Sequence, residues 1–357
     1  HGMLGQETNG AGGIFKAFRT IPVIGQIIDD MRELCPDAWL INFTNPSGMV
    51  TEAAIKKFGW KRTIGLCNVP TIAQMREPGN IGETGEELTY QFAGLNHFHW
   101  HKVTNRDGED VTMELLKHVN EKNGGTPVNI YQEPFPEELL ESMKMVPCGY
   151  HRYYFMQREM LEHSIQEFKK GGTRAEQMYQ VEQELFELYA QPGLHEKPEQ
   201  LAKRGGAYYS DAACECISAI YNDKHLRMTV STENKGAIPC LAPDSIVEVS
   251  SLISAKGAEP IVWGEMPPAA RGWLQLMKAM EECVIEAAIT GDYGLALEAF
   301  TMNPLIESGK EGKRVLDELL VAHEKYLPQF HEKIQELKAA GVETVDEGVR
   351  ELLRKGL

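Results

Sequence analysis

The chain has 357 residues, 42% hydrophobic and 25% charged, enough apolar material for two domains or one large α/β unit with a sizeable core. Its formal charge of −16 is spread along the sequence, which argues against the basic face a nucleic acid would require. An anionic small substrate stays admissible, because one local Arg or Lys can override the global field.

Seven cysteines at positions 35, 67, 148, 214, 216, 240 and 283 form no CxxC pair, and Cys214-Glu-Cys216 is too tight for an ordinary bridge. Reduced thiols are therefore expected. With no charged-then-apolar leader and no long apolar run, the sequence predicts a cytoplasmic protein without a membrane partner.

In chain order, VIGQIIDDMREL at 23–34 carries apolar residues at helical spacing and stops before Pro36. AWLINFT at 38–44 suits a strand buried on both faces. Asn45-Pro46-Ser47-Gly48 is a turn, with Ser47 the expected N-cap of the helix MVTEAAIKKF. RTIGLC at 62–67 is the next strand, and Val69-Pro70-Thr71 opens another helix. Helix, strand, helix, strand predicts βαβ organisation and a parallel sheet. Ligands gather at the carboxyl ends of such strands, where Asn45 and Cys67 lie.

Residues 88–104, LTYQFAGLNHFHWHKVT, read as two strands broken at Gly94. Beyond residue 109 the pattern is mostly helical, except for a β-rich island at 228–249. Long amphipathic helices are expected over 269–302 and 308–354. A domain change is placed near residue 105.

No dinucleotide fingerprint is visible. The glycines of 79–85 follow a GxxGxxG spacing with no strand before them and read as a loop, and Gly10-Ala11-Gly12-Gly13 likewise lacks a preceding strand. His97, His99 and His101 alternate, and on an extended strand all three would share a face like a metal clamp. A strand histidine is more often packed and hydrogen-bonded than ligating. Cys67 with His97 gives one thiolate and one imidazole, a pair suited to a divalent transition ion that keeps positions open. Spacing alone leaves that pairing weak. Tyr150 reads by default as aromatic packing, Arg174 as a solvated charge and Glu7 as a cap. Asp211, Glu215 and Glu248 show no special pattern, and no GxSxG elbow or carboxylate pair is present.

Taken together, GQETNGAGG, RTIPV, INFTNPSG, IGLCNVP, GLNHFHW, PCGYHRYY, TRAEQ, NKGAIPCLAPDSIVEV and WGEMPPAARG occur in an order that resembles the NAD- and manganese-dependent glycosidases, glycoside hydrolase family four. The resemblance covers nearly the whole chain and is greatest to the 6-phospho-β-glucosidases. It implies an α/β fold, with residues 1–105 the remaining part of a Rossmann-like NAD-binding domain. Residues 106–357 would then form a mixed, mostly helical α+β domain for substrate binding and oligomerisation, as in lactate and malate dehydrogenases.

It also implies a hydrolysis outside the two-carboxylate scheme. NAD⁺ takes hydride from C3 of the sugar, a tyrosine removes the acidified C2 proton, the aglycone leaves C1 by elimination, water adds, and NADH returns the hydride. By residue match, Cys67 and His97 hold Mn²⁺ or another divalent cation, and Tyr150 is the base. Glu7, Asn45 and Asn96 contact the sugar, and Arg174 binds the 6-phosphate. NAD-binding residues stay open, with Asn45 a candidate neighbour. Asn68 follows the ligand cysteine where α-selective members carry Asp, which favours the β-type substrate, such as cellobiose 6-phosphate.

The family's chain begins about 100 residues earlier, in a stretch that would hold the first strand, its glycine-rich turn and the ribose-binding acid. A homodimer or homotetramer is expected. The competing readings are a relative acting on a uronide or unphosphorylated sugar, an NAD-linked hydroxy-acid dehydrogenase, and an inactive fragment.

Overall fold

The computed structural model describes residues 1–121, 126–127, 130–204 and 208–344. Helix α1 (Ala11–Leu34) is followed by strand β1 (Leu40–Asn42), helix α2 (Ser47–Glu52), strand β2 (Thr63–Gly65) and helix α3 (Val69–Arg76). Strands β3 (Thr89–Leu95) and β4 (Phe98–Thr104) form a hairpin. Helices α4 (Thr112–Leu116) and α5 (Glu137–Met143) lead to strand β5 (Val146–Pro147). Helices α6 (Arg152–Phe155), α7 (Gln157–Gly171), α8 (Arg174–Tyr189), α9 (Gln200–Arg204) and α10 (Tyr209–Tyr221) follow.

The chain then supplies β6 (Leu226–Glu233), β7 (Ile246–Ser254) and β8 (Gly257–Pro260), before α11 (Pro268–Thr290), α12 (Tyr293–Met302), α13 (Gly309–Ala322) and α14 (His331–Ala339). The long helix expected over 269–302 is divided by Gly291, which takes φ +73 beyond the end of α11. The one expected over 308–354 is divided by 3₁₀ turns after His323, and its positions beyond 344 lie outside the described residues.

All the strands among the described residues belong to one sheet, in the order β1-β2-β6-β7-β3-β4-β5, with β8 on β7. Among the described residues only β1 and β2 pair in parallel, and every other strand pairing is antiparallel. The expected parallel sheet is thus confined to the βαβ unit at the amino end, and hairpin neighbours extend it past residue 105 without a break. The class is α/β.

The Pro46 peptide bond is cis, and helix α2 begins at Ser47 itself. Ser47 is therefore not the cap expected of it; its hydroxyl donates to the carbonyls of Asn42 and Leu66, both at 3.4 Å, and so ties the helix start to β1 and to the end of β2. Apolar faces of α1, α2 and α11 meet in the main core, through Ile14, Phe18, Met49, Val50, Leu274 and Met277. One buried charge pair crosses it: Lys278 Nζ donates to Glu52 Oε2 at 2.6 Å, binding α11 to α2. Lys278 also pairs with Glu281 on its own helix and Glu52 with Lys56, so it is loss of Lys278 that would leave a buried carboxylate, Glu281, without its cation, at a cost of about 3–5 kcal/mol.

Candidate active site

Cys67 lies two residues past β2, where the first turn of α3 begins. Its sulfur accepts the Val69 backbone N–H at 3.5 Å. Burial, with the nearby Glu248 carboxylate adding to it, pushes the Cys67 thiol well above its usual value, while the Val69 and Asn96 N–H groups act the other way. A buried thiol so placed becomes a thiolate only with a compensating cation.

His97 is not on a strand face with His99 and His101. Strand β3 runs through Gly94 to Leu95, which pairs with Phe98, so Asn96 and His97 are the two turn residues of the β3–β4 hairpin. His97 adopts φ +60, a conformation turns usually reserve for Gly or Asn. The turn aims the imidazole away from the strand's own register. Its Nδ1 meets the Thr8 hydroxyl at 2.6 Å, which leaves Nε2 as the nitrogen for a ligand. Burial holds His97 down to about 4, so the ring is neutral at ordinary pH, as ligation requires.

His99 and His101 do stand on β4, and both bond to carboxylates. His99 Nδ1 meets Glu248 Oε2 at 2.6 Å, and His101 Nε2 meets Glu77 Oε2 at 2.9 Å. Burial opposes charge on His99, yet Cys148 and Glu248 outweigh it and hold the ring up to about 10.

Tyr150 lies in a 3₁₀ turn (Gly149–His151) that follows β5. Its ring lies flat on that of His97, with centroids 4.0 Å apart and planes 7° off parallel. The hydroxyl donates to Glu7 Oε1 at 3.4 Å, so Glu7 meets the site rather than capping α1, whose N-cap is Gly10. Burial pushes the Tyr150 phenol well above its usual value, with Glu7, Cys67 and Cys148 adding to it.

Arg174 is the exposed first residue of α8, where Thr173 and Glu176 form a capping box; it donates to the Lys203 carbonyl at 2.7 Å. Its charge also acts on Tyr153, whose ring is 6.1 Å from that of Tyr150 and whose phenol burial raises to about 12. Asn45 is half-buried at the amino end of α2, its side-chain oxygen 3.4 Å from the Ser47 N–H. Asn96 is fully buried and donates to Glu248 Oε1 at 3.0 Å, while its own carbonyl oxygen has no hydrogen-bond partner. Asn68 is buried beside Cys67 at the start of α3.

Cys67, His97, Asn96, Glu7 and Tyr150 therefore converge, with Arg174 one aromatic ring further out and Asn45 at the neighbouring strand end. Thr8 and Glu248 were missed. An acid inside the apolar strand IVEVSS was a usable signal for a buried partner; nothing local marked Thr8.

Among the described residues no three His, Cys, Asp or Glu side chains gather into a metal cage. The residues nevertheless fit a divalent cation held at two protein positions: a buried sulfur short of compensation, a neutral imidazole with its far nitrogen engaged, and the orphaned Asn96 oxygen beside them.

The model for the "Family 4 glycosyl hydrolase" matches residues 1–77, and that for the "Family 4 glycosyl hydrolase C-terminal domain" matches residues 92–306. This chain belongs to glycosyl hydrolase family 4. A Bacillus subtilis (strain 168) protein named "Probable 6-phospho-beta-glucosidase" is 49% identical over 94% of this chain and 76% of its own length. The "6-phospho-beta-glucosidase" of Escherichia coli (strain K12) is 43% identical over 95% of this chain and 76% of its length. The 6-phospho-beta glucosidase structure from Thermotoga maritima, solved with manganese, NAD⁺ and glucose-6-phosphate, aligns with a TM-score of 0.79. It is 31% identical, covering 91% of this chain and 75% of that one. No helix among the described residues is long and apolar enough to cross a membrane.

Proposed function

We propose that this protein is a 6-phospho-β-glucosidase that hydrolyses phosphorylated β-glucosides such as cellobiose 6-phosphate, using NAD and Mn²⁺ or another divalent cation. The observation that carries the reading is Tyr150 lying flat on His97, with its hydroxyl at Glu7 and its charge balance tied to Cys67. The residues assigned as base and cation ligands, Tyr150, Cys67 and His97, are buried, and the exposed Glu7, assigned to the sugar, reaches the Tyr150 hydroxyl.

Bound NAD and a bound divalent cation supply, respectively, a hydride acceptor and Lewis acidity toward the sugar's C2 and C3 oxygens. The remaining work falls to the chain. Cys67 and His97 hold the cation and leave its other positions to the sugar hydroxyls. Tyr150 removes the C2 proton. Its buried phenol would be a poor base unaided, and positive charge placed beside Cys67 and His97 corrects that. Glu7, Asn45 and Asn96 orient hydroxyl groups, the orphaned Asn96 oxygen as an acceptor. Arg174 takes the 6-phosphate in its guanidinium fork. Asn68 has no acidic proton to give a leaving group, in keeping with a β-linked substrate.

Residues 1–105 then serve as the NAD-side unit and residues 106–357 as the substrate and oligomerisation unit. The seven cysteines are all free thiols, in keeping with a cytoplasmic setting. A homodimer or homotetramer has an available surface in the exposed Tyr179, Phe186 and Tyr189 of α8.

Incubation with p-nitrophenyl β-glucoside 6-phosphate, NAD⁺ and Mn²⁺ should release nitrophenol and stop on chelation, and deuterium at C2 should slow the rate or exchange with solvent. No release, or release indifferent to chelator, refutes the proposal; net accumulation of NADH would instead indicate a dehydrogenase.

A further inference from the structure

Position 94 is a gap in a row of side chains. Across the sheet, Gly94 pairs with Glu248 of β7 on one side and with His99 of β4 on the other. A Cβ at Gly94 would lie 2.4 Å from the His99 Cα. With no side chain there, the Glu248 carboxylate reaches over β3 to His99, which stands two strands away. Its second oxygen accepts from Asn96, in the turn beside His97.

That second contact decides the orientation of an amide. A carboxylate can only accept, so Asn96 must turn its NH₂ end toward Glu248. The same NH₂ end reaches the Cys67 sulfur, and the carbonyl end is left buried without a partner. A flipped amide would set oxygen against the carboxylate and, once a cation holds Cys67 as its thiolate, against the sulfur, and both contacts would be repulsive. Both Glu248 and Asn96 are almost wholly buried, so no water screens the choice.

We propose that Glu248 is a positioning residue: through the gap at Gly94 it fixes which end of the Asn96 amide faces the Cys67 sulfur and which end is left for a sugar hydroxyl. The inference rests on Cys67 as a cation ligand and on Asn96 as a substrate contact. Outer-shell partners of this kind typically alter metal affinity roughly 10- to 100-fold when replaced.

Two variants separate the effect from simple loss of fold. Glu248→Gln keeps shape and hydrogen-bonding capacity but can present either end to Asn96, so the amide is no longer locked. Asn96→Ala removes the amide and leaves the Glu248–His99 bond intact. The probe is Co²⁺, titrated into each protein and into the unsubstituted chain, with the sulfur-to-cobalt charge-transfer band recorded alongside thermal unfolding. An N–H donor on a thiolate lowers the energy of its lone pairs, so losing that donor should move the band to lower energy. The expected result is this shift in both variants, with Co²⁺ and Mn²⁺ dissociation constants raised roughly 10-fold or more.

If either folded variant keeps the original band and affinity, the proposal is overturned. Should the Glu248→Gln chain not fold, Glu248→Asp, whose shorter arm draws the carboxylate away from Asn96, decides by the same band and affinity. An unsubstituted chain that binds Co²⁺ with no sulfur band overturns the Cys67 assignment instead, which marks failure of the functional reading and not of the Glu248 argument alone.

Discussion

Replacing Gly94 by Ala tests the sheet geometry on which the site depends, independently of any ligand. The added Cβ would sit 2.4 Å from both the His99 Cα and the Phe98 carbonyl oxygen, and 2.8 Å from the His99 Cβ. Two of these three atoms are backbone, so the clash cannot be relieved by a side-chain rotation and β4 must move. Forcing a methyl into a filled interior costs about 1–3 kcal/mol. Holding a residue with a Cβ at the φ of +154 seen here adds about 1–3 kcal/mol more. The sum, about 2–6 kcal/mol, is a large part of the 5–15 kcal/mol that keeps a typical protein folded. At about 1.3 °C per kcal/mol for a chain of this size, the unfolding midpoint should fall by roughly 3–8 °C. Denaturant unfolding should show a lower midpoint with an unchanged slope. A Gly94→Ala protein as stable as the parent would refute the reasoning, because β3 and β4 could not then be packed as closely as described.

Two further outcomes follow from the site. Cys67 is held protonated by burial and His97 is held neutral, near 4, so cation binding should displace one proton, from the thiol, between pH 6 and 8. Affinity should then rise about tenfold per pH unit, and calorimetry in buffers of different ionisation enthalpy should count one proton in the parent and none in Cys67→Ser; a count of zero or two in the parent contradicts the assignment. Arg174→Ala should raise KM for the phosphorylated sugar roughly 10- to 150-fold, the equivalent of about 1.5–3 kcal/mol of charge-assisted hydrogen bonding. It should leave the unphosphorylated analogue unchanged, and equal losses on both sugars would remove Arg174 from the phosphate site.

What could be read in the sequence was local. The βαβ opening, the β-rich island and the carboxy-terminal helices each announce themselves by periodicity within a dozen residues; the structure contains the first two, and it divides the helices at Gly291 and after His323 within the residues it describes. Family motifs led to Cys67, His97 and Tyr150, which the fold brings together. What failed was register. The alternation of His97, His99 and His101 suits a strand, but the pairing of Leu95 with Phe98 makes His97 a turn residue, and only the partner strand decides that. Gly94 has the look of a break because glycine usually ends strands, yet here its bare Cα admits a carboxylate from the next strand. Glu248 had no pattern to show, since its partners Asn96 and His99 lie about 150 residues earlier. The acid–base pairing is a property of the sheet and not of any segment.

A site with two protein ligands places an unusual demand on its scaffold. In a four-ligand cage each group helps to position the others, whereas at the site proposed here the substrate would complete the shell and arrive afterwards. Both ligands must therefore be held beforehand by something other than the ion. His97 sits in a conformation costing about 1–2 kcal/mol for a non-glycine residue. The Thr8 bond, at about 0.5–1.5 kcal/mol, and the stacked Tyr150 ring, at about 0.5–1.5 kcal/mol, are of the right size to offset it. Tyr150, the proposed base, thus helps to hold His97, the proposed ligand, in place, and His97 fixes the plane of the Tyr150 ring. Cys67 has the matching support in the first N–H of α3 and in Asn96. Because these supports come from the amino-terminal loop, the hairpin turn, the α3 start and the turn after β5, a shift in any one would loosen ligand and base together.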